Sequence, residues 1–282
     1  MTDKLEQARD VVRRHAVPDA LRRLGEDDEW LPYYDGVGTS FLQSDVTPDV
    51  LARSLHYMIK LKSTGVRDES EVPLGVSKYK GLPHLPRGDA WPNGHYFLAQ
   101  FNLADLHSID LHGAFPSRGM FYVFFNPGGE VVVSHYDGPL DQLHVVPYPD
   151  SAKKFGGAKY YLDGFKRRSS RLRFRPRGVF YLGGDAYNLS TATKLIPKRL
   201  RNQIADILGG SIASRDTDLR IFGRPLYWQG EDERVDDDEH LEVSRHLLLQ
   251  DEFGEGHIHV WVDAADAHRQ DYSRCWMDYS GT

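Results

Sequence analysis

The chain has 282 residues, which fits one large domain or two small ones. Hydrophobic residues make up 40% and aromatic residues 12%, which excludes a disordered protein; the single cysteine excludes an internal disulfide framework. The longest apolar runs fall short of the roughly 20 residues that span a bilayer, and a net charge of −6 gives no overall attraction to nucleic acid. The first residues do not resemble a secretory signal peptide, so we expect a cytoplasmic protein without a membrane partner.

Residues 1–54 are predicted to form a helical N-terminal segment. Apolar residues recur there at helical spacing, namely Leu5, Ala8, Val11, Val12 and Ala16. Thr47 followed by Pro48 is typical of a helix start, since Pro is favoured at the first helical position. A separate α+β domain is predicted over residues 55–282.

Short apolar runs between turn residues predict strands in this second region. We expect strands over residues 56–63, 96–103, 120–125, 130–135, 142–148 and 257–263. The run at 142–148 is expected at a sheet edge because of Pro147, and the one at 257–263 is expected to be the final strand. A long helix is predicted over residues 195–208, where Gly209 and Gly210 end it.

A degenerate repeat divides this domain. Both copies read G-x-P, then an apolar strand ending in Gln, then an aromatic strand: residues 81–83, 97–100 and 120–125, and residues 223–225, 247–250 and 258–262. We therefore predict a single β-rich α+β domain with mixed or antiparallel sheets, built from two similar halves at about 77–150 and 178–275. Coincidence between common strand patterns is the alternative.

The same segments resemble a known family. Residues 77–86 (SKYKGLPHLP), Trp91-Pro92 and residues 97–103 (FLAQFNL) are similar to the signature of the YwqG-like family, over about residues 55–275 of the chain. Lys80 departs from the family pattern, which commonly has Gly there, and Glu252-Phe253 replaces a short Ser-Asp turn. The resemblance implies a bacterial β-rich domain of two halves without established catalytic residues, and a link to toxin–immunity systems.

The motif residues are the first candidates for a binding site. Proline fixes φ and glycine permits conformations that other residues avoid, so the loop is rigid, whether it is structural or binds a ligand. Each of the two repeat glutamines follows an apolar tripeptide, so we expect buried amides that either tie the halves together or face a ligand. The candidates are Lys78, Gly81, Pro83, Pro86, Trp91, Gln100 and Gln250.

A basic stretch gives a second candidate. Residues 166–177 hold seven basic residues, and in a strand the alternation predicts one basic and one apolar face. This basic patch consists of Arg171, Arg173, Arg175 and Arg177. It is interpreted as a solvated face of an edge strand, with recognition of an acidic protein surface or of nucleic acid as alternatives.

Two further patterns carry weaker hypotheses. Residues 231–239 hold seven acidic residues, typical of a solvated loop, although this run could also face a basic partner or the arginine stretch. His257 and His259 project from one strand face and are weak candidates for a metal site; no cofactor is expected. Cys275 is expected to be a packed residue rather than a nucleophile.

These patterns favour a non-enzymatic cytoplasmic protein that binds another protein, with an immunity-type role as its most specific form. An enzyme or small-ligand protein with a pocket between the two halves is the alternative. Binding of nucleic acid through the arginine strand is a second alternative, which the net charge does not favour.

Overall fold

The computed structural model describes residues 4–15, 47–66, 68–126, 128–149, 169–181, 196–213, 218–226 and 244–281. The acidic run at 231–239 and the basic residues 166–168 lie outside the described residues. The chain divides into two compact units, one formed by Met1–Lys60 and Arg175–Leu226, the other by Leu61–Phe174 and Tyr227–Thr282.

The first unit contains the predicted N-terminal helix. Helix α1 (Lys4–His15) buries one apolar face and packs against α2 (Pro48–Arg53) and α4 (Lys198–Leu208). The Thr47 hydroxyl accepts a hydrogen bond from the backbone N–H of Val50, which confirms the predicted helix start. Helix α4 begins after Pro197 rather than at 195 and ends at Gly209, whose φ of 69° only glycine adopts easily.

Short strands complete the first unit. Strand β10 (Arg220–Phe222) pairs antiparallel with the first part of β1 (Leu55–Gly65). The last part of β8 (Ser170–Phe180) pairs in parallel with β9 (Ser211–Ile212). Both β1 and β8 continue into the second unit.

The second unit holds most of the predicted strands. Its first sheet region has the order β8–β2–β4–β5–β6, formed with β2 (Lys78–Tyr79), β4 (Tyr96–Asn102), β5 (Met120–Phe125) and β6 (Val131–Tyr136). Strands β3 (His84–Pro86) and β7 (Leu143–Val145) form a separate two-stranded sheet. The short helix α3 (Leu103–Leu106) follows β4.

A C-terminal meander forms the rest of the second unit. Strand β12 (Gly256–Asp263) pairs antiparallel with β11 (Arg245–Glu252) on one side and with β13 (Trp276–Gly281) on the other, and helix α5 (Ala264–His268) follows β12. The prediction that 257–263 is the last strand is wrong. Residues 276–281 lack a clear alternation of apolar and polar residues, yet all six pair with residues 256–261 of β12.

The expected β-rich α+β class is confirmed, with a large, mainly antiparallel sheet and five helices in the described part of the chain. The described helices include none that is long and apolar enough to cross a membrane.

Candidate functional site

The G-x-P loop turns sharply after β2. Lys80 and Gly81 have φ values of 57° and 75°, so two successive residues adopt the left-handed conformation. A side chain at Gly81 would collide with Ser169 and with the Glu69 carboxylate. Glycine is therefore required here both by the backbone conformation and by the lack of space.

Lys78 lies fully buried behind this loop. Its Nζ forms an ion pair with Glu69 and donates to the carbonyl oxygen of Leu82 at 2.6 Å. The Ser169 hydroxyl donates to the other oxygen of the Glu69 carboxylate. Desolvation lowers the pKa of Lys78, while Glu69 acts in the opposite direction. The ion pair thus joins the short 3-10 turn Glu69–Glu71, the G-x-P loop and the residue before β8.

His84 is a neutral hydrogen-bond acceptor in this cluster. Its Nδ1 lies 3.2 Å from the backbone N of Gly75, which donates to it, and 3.1 Å from Nε2 of Gln100. The proton of the neutral ring is therefore assigned to Nε2, which lies 3.9 Å from a Glu69 oxygen and has no hydrogen-bond partner among the described residues. Burial and the nearby Lys78 lower the pKa of His84 to about 4.

The buried side chain of Gln100 forms hydrogen bonds with the backbone on both sides of the G-x-P loop. Its side-chain oxygen accepts from the His84 backbone N–H at 2.8 Å, and its Nε2 donates to the Val76 carbonyl at 2.9 Å. Neither partner lies in the second predicted half (about 178–275), so the expectation that Gln100 ties the two halves together is wrong for this residue. Strand β4 instead places the buried Gln100 amide next to the G-x-P loop of the same repeat copy.

The other motif residues are also buried. Trp91 packs against Phe97, Phe124 and Tyr148, and its indole N–H donates to the His95 carbonyl at 2.8 Å. Three further candidates are buried, namely Pro83, Pro86 and Gln250. Direct contact of these residues with a ligand stays a prediction.

Tyr79 and Asp251 link β2 to the C-terminal meander. The Tyr79 hydroxyl donates to Asp251 Oδ2 at 2.5 Å, and burial raises the pKa of this carboxyl to about 6. Tyr272 adds a second link by donating to the Ala114 carbonyl at 2.8 Å. These contacts could not be predicted from the sequence. Asp251 directly follows Gln250, but no motif around it indicates that Tyr79 is its partner.

The candidate metal residues occupy the middle of the meander. His259 Nδ1 lies 2.5 Å from Asp278 Oδ1, and the indole N–H of Trp261 donates to Asp278 Oδ2 at 2.7 Å. The rings of His257 and His259 lie side by side, 6.3 Å apart between their centroids. Within the ranges that the structure describes, no group of three His, Cys, Asp or Glu side chains is arranged to hold a metal ion.

The basic patch lies on β8, as predicted, but β8 is not an edge strand. It has β1 on one side and β2 on the other. Arg171, Arg173 and Arg175 are exposed, while Leu172 is buried, so the expected alternation is confirmed for these residues. Arg177 is partly buried and donates to the Ser211 hydroxyl.

The arginines of the second unit border the buried lysine cluster. Arg171 is directly opposite Lys78, and its guanidinium donates to the Glu71 carbonyl. Arg173 is exposed two residues further along the strand. In the described part of the chain, neither arginine has a carboxylate within 4.0 Å.

These features define a β-rich domain with a buried lysine beneath a rigid loop and arginines beside it. A family model for a domain of unknown function, DUF1963, matches residues 77–280. Because the match covers more than two thirds of the chain, the protein belongs to this family. The resemblance to the YwqG-like family is compatible with this membership. No protein with curated annotation matches the chain.

Removing the buried lysine tests the cluster. We expect Lys78→Met to lower the free energy of unfolding by about 3 kcal/mol, because it leaves the Glu69 carboxylate without its cation. The double variant Lys78→Met/Glu69→Gln should recover most of this loss, since the glutamine oxygen still accepts from Ser169. Urea unfolding measures both, with Lys62→Met on the exposed part of β1 as the control. A double variant as unstable as the single one contradicts the account.

Asp251 predicts a pH dependence of stability. Its pKa is raised above the unfolded value of 3.8 to about 6, so ionisation opposes folding. This carboxyl favours the folded state most below pH 4, and that contribution is lost as the pH rises through 6. Asp251→Asn should therefore gain up to about 3 kcal/mol over the wild type at pH 7.5 and little at pH 4. Chemical unfolding at both pH values measures the difference, and the exposed Asp141→Asn is the control. An equal effect at both pH values would exclude ionisation of Asp251 as the cause.

Proposed function

We propose that this chain is a non-enzymatic binding protein whose partner is another protein with an acidic surface. The observation that carries the proposal is the exposure of Arg171 and Arg173 on an internal strand without carboxylate partners in the described part of the chain. Guanidinium groups bind carboxylates in a bidentate way, which suits recognition of Asp and Glu side chains.

The position of β8 favours this function over a structural explanation. Positive charge on an edge strand deters pairing with other chains, and this would explain the arginines without any partner. Because β8 has strands on both sides, that explanation does not apply to it. The net charge of −6 gives no overall attraction to an acidic protein surface or to nucleic acid, so the experiment below distinguishes the two.

The titratable groups inside the second unit support a binding role rather than catalysis. Lys78 is held by Glu69, and His84 accepts hydrogen bonds at Nδ1 with a pKa lowered to about 4. Burial and neighbouring carboxylates raise the pKa of Cys275 to about 12, so its thiol stays protonated. Lys78 and His84 stabilise the loop and are withdrawn from solvent.

We also propose that the domain consists of two related halves, at about 77–150 and 178–275. The pairs Lys80-Gly81 and Phe222-Gly223 both adopt the left-handed conformation before x-Pro. In each copy, a fully buried basic side chain lies two residues before this pair. It donates a hydrogen bond to the backbone carbonyl four residues further along the chain, from Lys78 to Leu82 and from Arg220 to Arg224.

The strands that end in glutamine support the same correspondence. The pairing of β4 with β5 shifts register between Phe97 and Ala99, and that of β11 with β12 shifts between Leu247 and Leu249. Each irregularity stands at the same distance before the glutamine, at Gln100 and at Gln250. Independent origins would not be expected to place a bulge at equivalent positions.

The most specific form of the proposal is a cytoplasmic bacterial immunity protein that covers the active surface of a toxin. It rests on the resemblance to the YwqG-like family and on the basic surface of β8. Charge complementarity between the two proteins would speed their encounter.

Purification of the tagged full chain from its native host tests the proposal. We expect an acidic protein in stoichiometric amount with the wild type and at least tenfold weaker recovery with Arg171→Gln/Arg173→Gln. Arg118→Gln, which removes an exposed arginine outside β8, is the matched control and should bind as the wild type does.

Three results would overturn the proposal. The first is the absence of a stoichiometric protein partner, and the second is equal recovery with the double variant. The third is recovery of nucleic acid that nuclease treatment removes and that depends on Arg171 and Arg173.

A further inference from the structure

We infer that the partner anchors an apolar side chain, flanked by carboxylates, on a surface formed by Leu74, Leu140 and Val145 next to Arg171. We call this surface the leucine patch. The inference rests on the proposed function and adds to it the chemistry of the partner's contacting segment. It also assigns a role to residues 68–76 and 139–146, which the sequence motifs did not single out.

Exposure of large apolar side chains marks the patch. Among the described residues, four such side chains are more than a third exposed: Leu74 (45%), Leu140 (37%), Val145 (38%) and Tyr279 (45%). Single exposed hydrophobic residues are ordinary, but a cluster of them indicates an interaction surface. Three of the four lie in the leucine patch.

Contacts around Gly75 place Leu74 close to Leu140 and connect both residues, through His84, to the strand that carries Val145. Leu74 precedes Gly75, and the Leu140 side chain lies so close to Gly75 that a Cβ there would be 3.1 Å from Leu140 Cδ1. The Gly75 N–H donates to His84 Nδ1, and His84 is directly opposite Val145 in the β3–β7 pair. The left-handed φ of 73° at Gly75 permits this close approach.

The buried cluster makes the leucine patch rigid. Gln100 holds the His84 backbone, and the Tyr122 hydroxyl donates to the His84 carbonyl at 2.6 Å. Lys78 holds Glu69, five residues before Leu74. A surface fixed in this way loses little conformational entropy when a partner binds.

The charges around the patch select the partner. The Arg171 guanidinium is fixed on the Glu71 carbonyl, three residues from Leu74, and Arg173 follows on the same strand. Glu71 and Asp141 are exposed near the patch as well, and they repel acidic groups on their side. The partner is therefore expected to place its carboxylates on the arginine side of its apolar anchor.

Site-specific photo-crosslinking in the native host tests the inference. The photoreactive residue p-benzoylphenylalanine replaces Leu74 in one variant of the full chain and Tyr279, which is equally exposed, in the control. We expect the variant at position 74 to crosslink to the partner whose binding depends on Arg171 and Arg173, and the variant at position 279 not to. Mass spectrometry should place the crosslink in a segment with an apolar residue and nearby Asp or Glu.

Affinity measurements with the purified partner provide the second readout. Leu74→Ser/Leu140→Ser should weaken binding at least tenfold, whereas Tyr279→Ser should change it less than twofold. All of these side chains are substantially exposed, so the thermal unfolding midpoints should stay close to that of the wild type, which verifies that the variants fold.

The outcomes separate this inference from the proposed function. If Arg171→Gln/Arg173→Gln loses the partner while Leu74→Ser/Leu140→Ser binds as the wild type does, the inference is wrong and the proposed function stands. A crosslink between two copies of this chain, or to a basic segment, also overturns the inference. If the wild type recovers no stoichiometric partner, both proposals fall.

Discussion

The ion pair between Lys78 and Glu69 is the interaction on which the candidate binding surface depends. A fully buried ammonium group is costly unless a carboxylate and further acceptors surround it. Glu69 and the Leu82 carbonyl supply these acceptors, and Glu69 is itself held by Ser169. The pair therefore fastens the turn before Leu74 to the G-x-P loop and to the beginning of β8.

A neutral histidine extends this support to the surface. His84 must accept at Nδ1 to receive the Gly75 N–H, and a protonated ring would lose that acceptor. Its low pKa, about 4, is thus matched to its structural task. We accordingly interpret the buried charged and polar groups of the motif as structural. They fix the backbone that carries the exposed leucines and arginines.

Much of the architecture is predictable from local patterns. Helix α1, the cap at Thr47, the C-terminus of α4 at Gly209 and the strands β5 and β6 all follow from spacing, capping and turn residues, with bounds within a few positions of those predicted. The alternation of arginines with apolar residues in β8 likewise predicts which side chains are exposed. In these cases the interactions that determine the structure join residues that are close together in the sequence.

The remaining features depend on contacts that are distant in sequence. The neighbours of β8 are β1 and β2, which the composition of β8 cannot specify, so its placement at an edge was wrong. The amide of Gln100 reaches back to Val76 and His84, and the pairing of Glu69 with both Lys78 and Ser169 requires the folded loop. The leucine patch exists only because residues 74 and 140, far apart in the chain, meet at Gly75.

Hydrogen–deuterium exchange in Lys78→Met tests most directly whether the ion pair holds the surface in place. The informative amides are those of Gly75, bonded to His84, and Leu172, bonded to the Ser77 carbonyl. The account predicts that both exchange much faster in the variant, while amides of β12 and β13 keep their protection. Unchanged protection at Gly75 and Leu172 would contradict the dependence of this surface on Lys78 and Glu69.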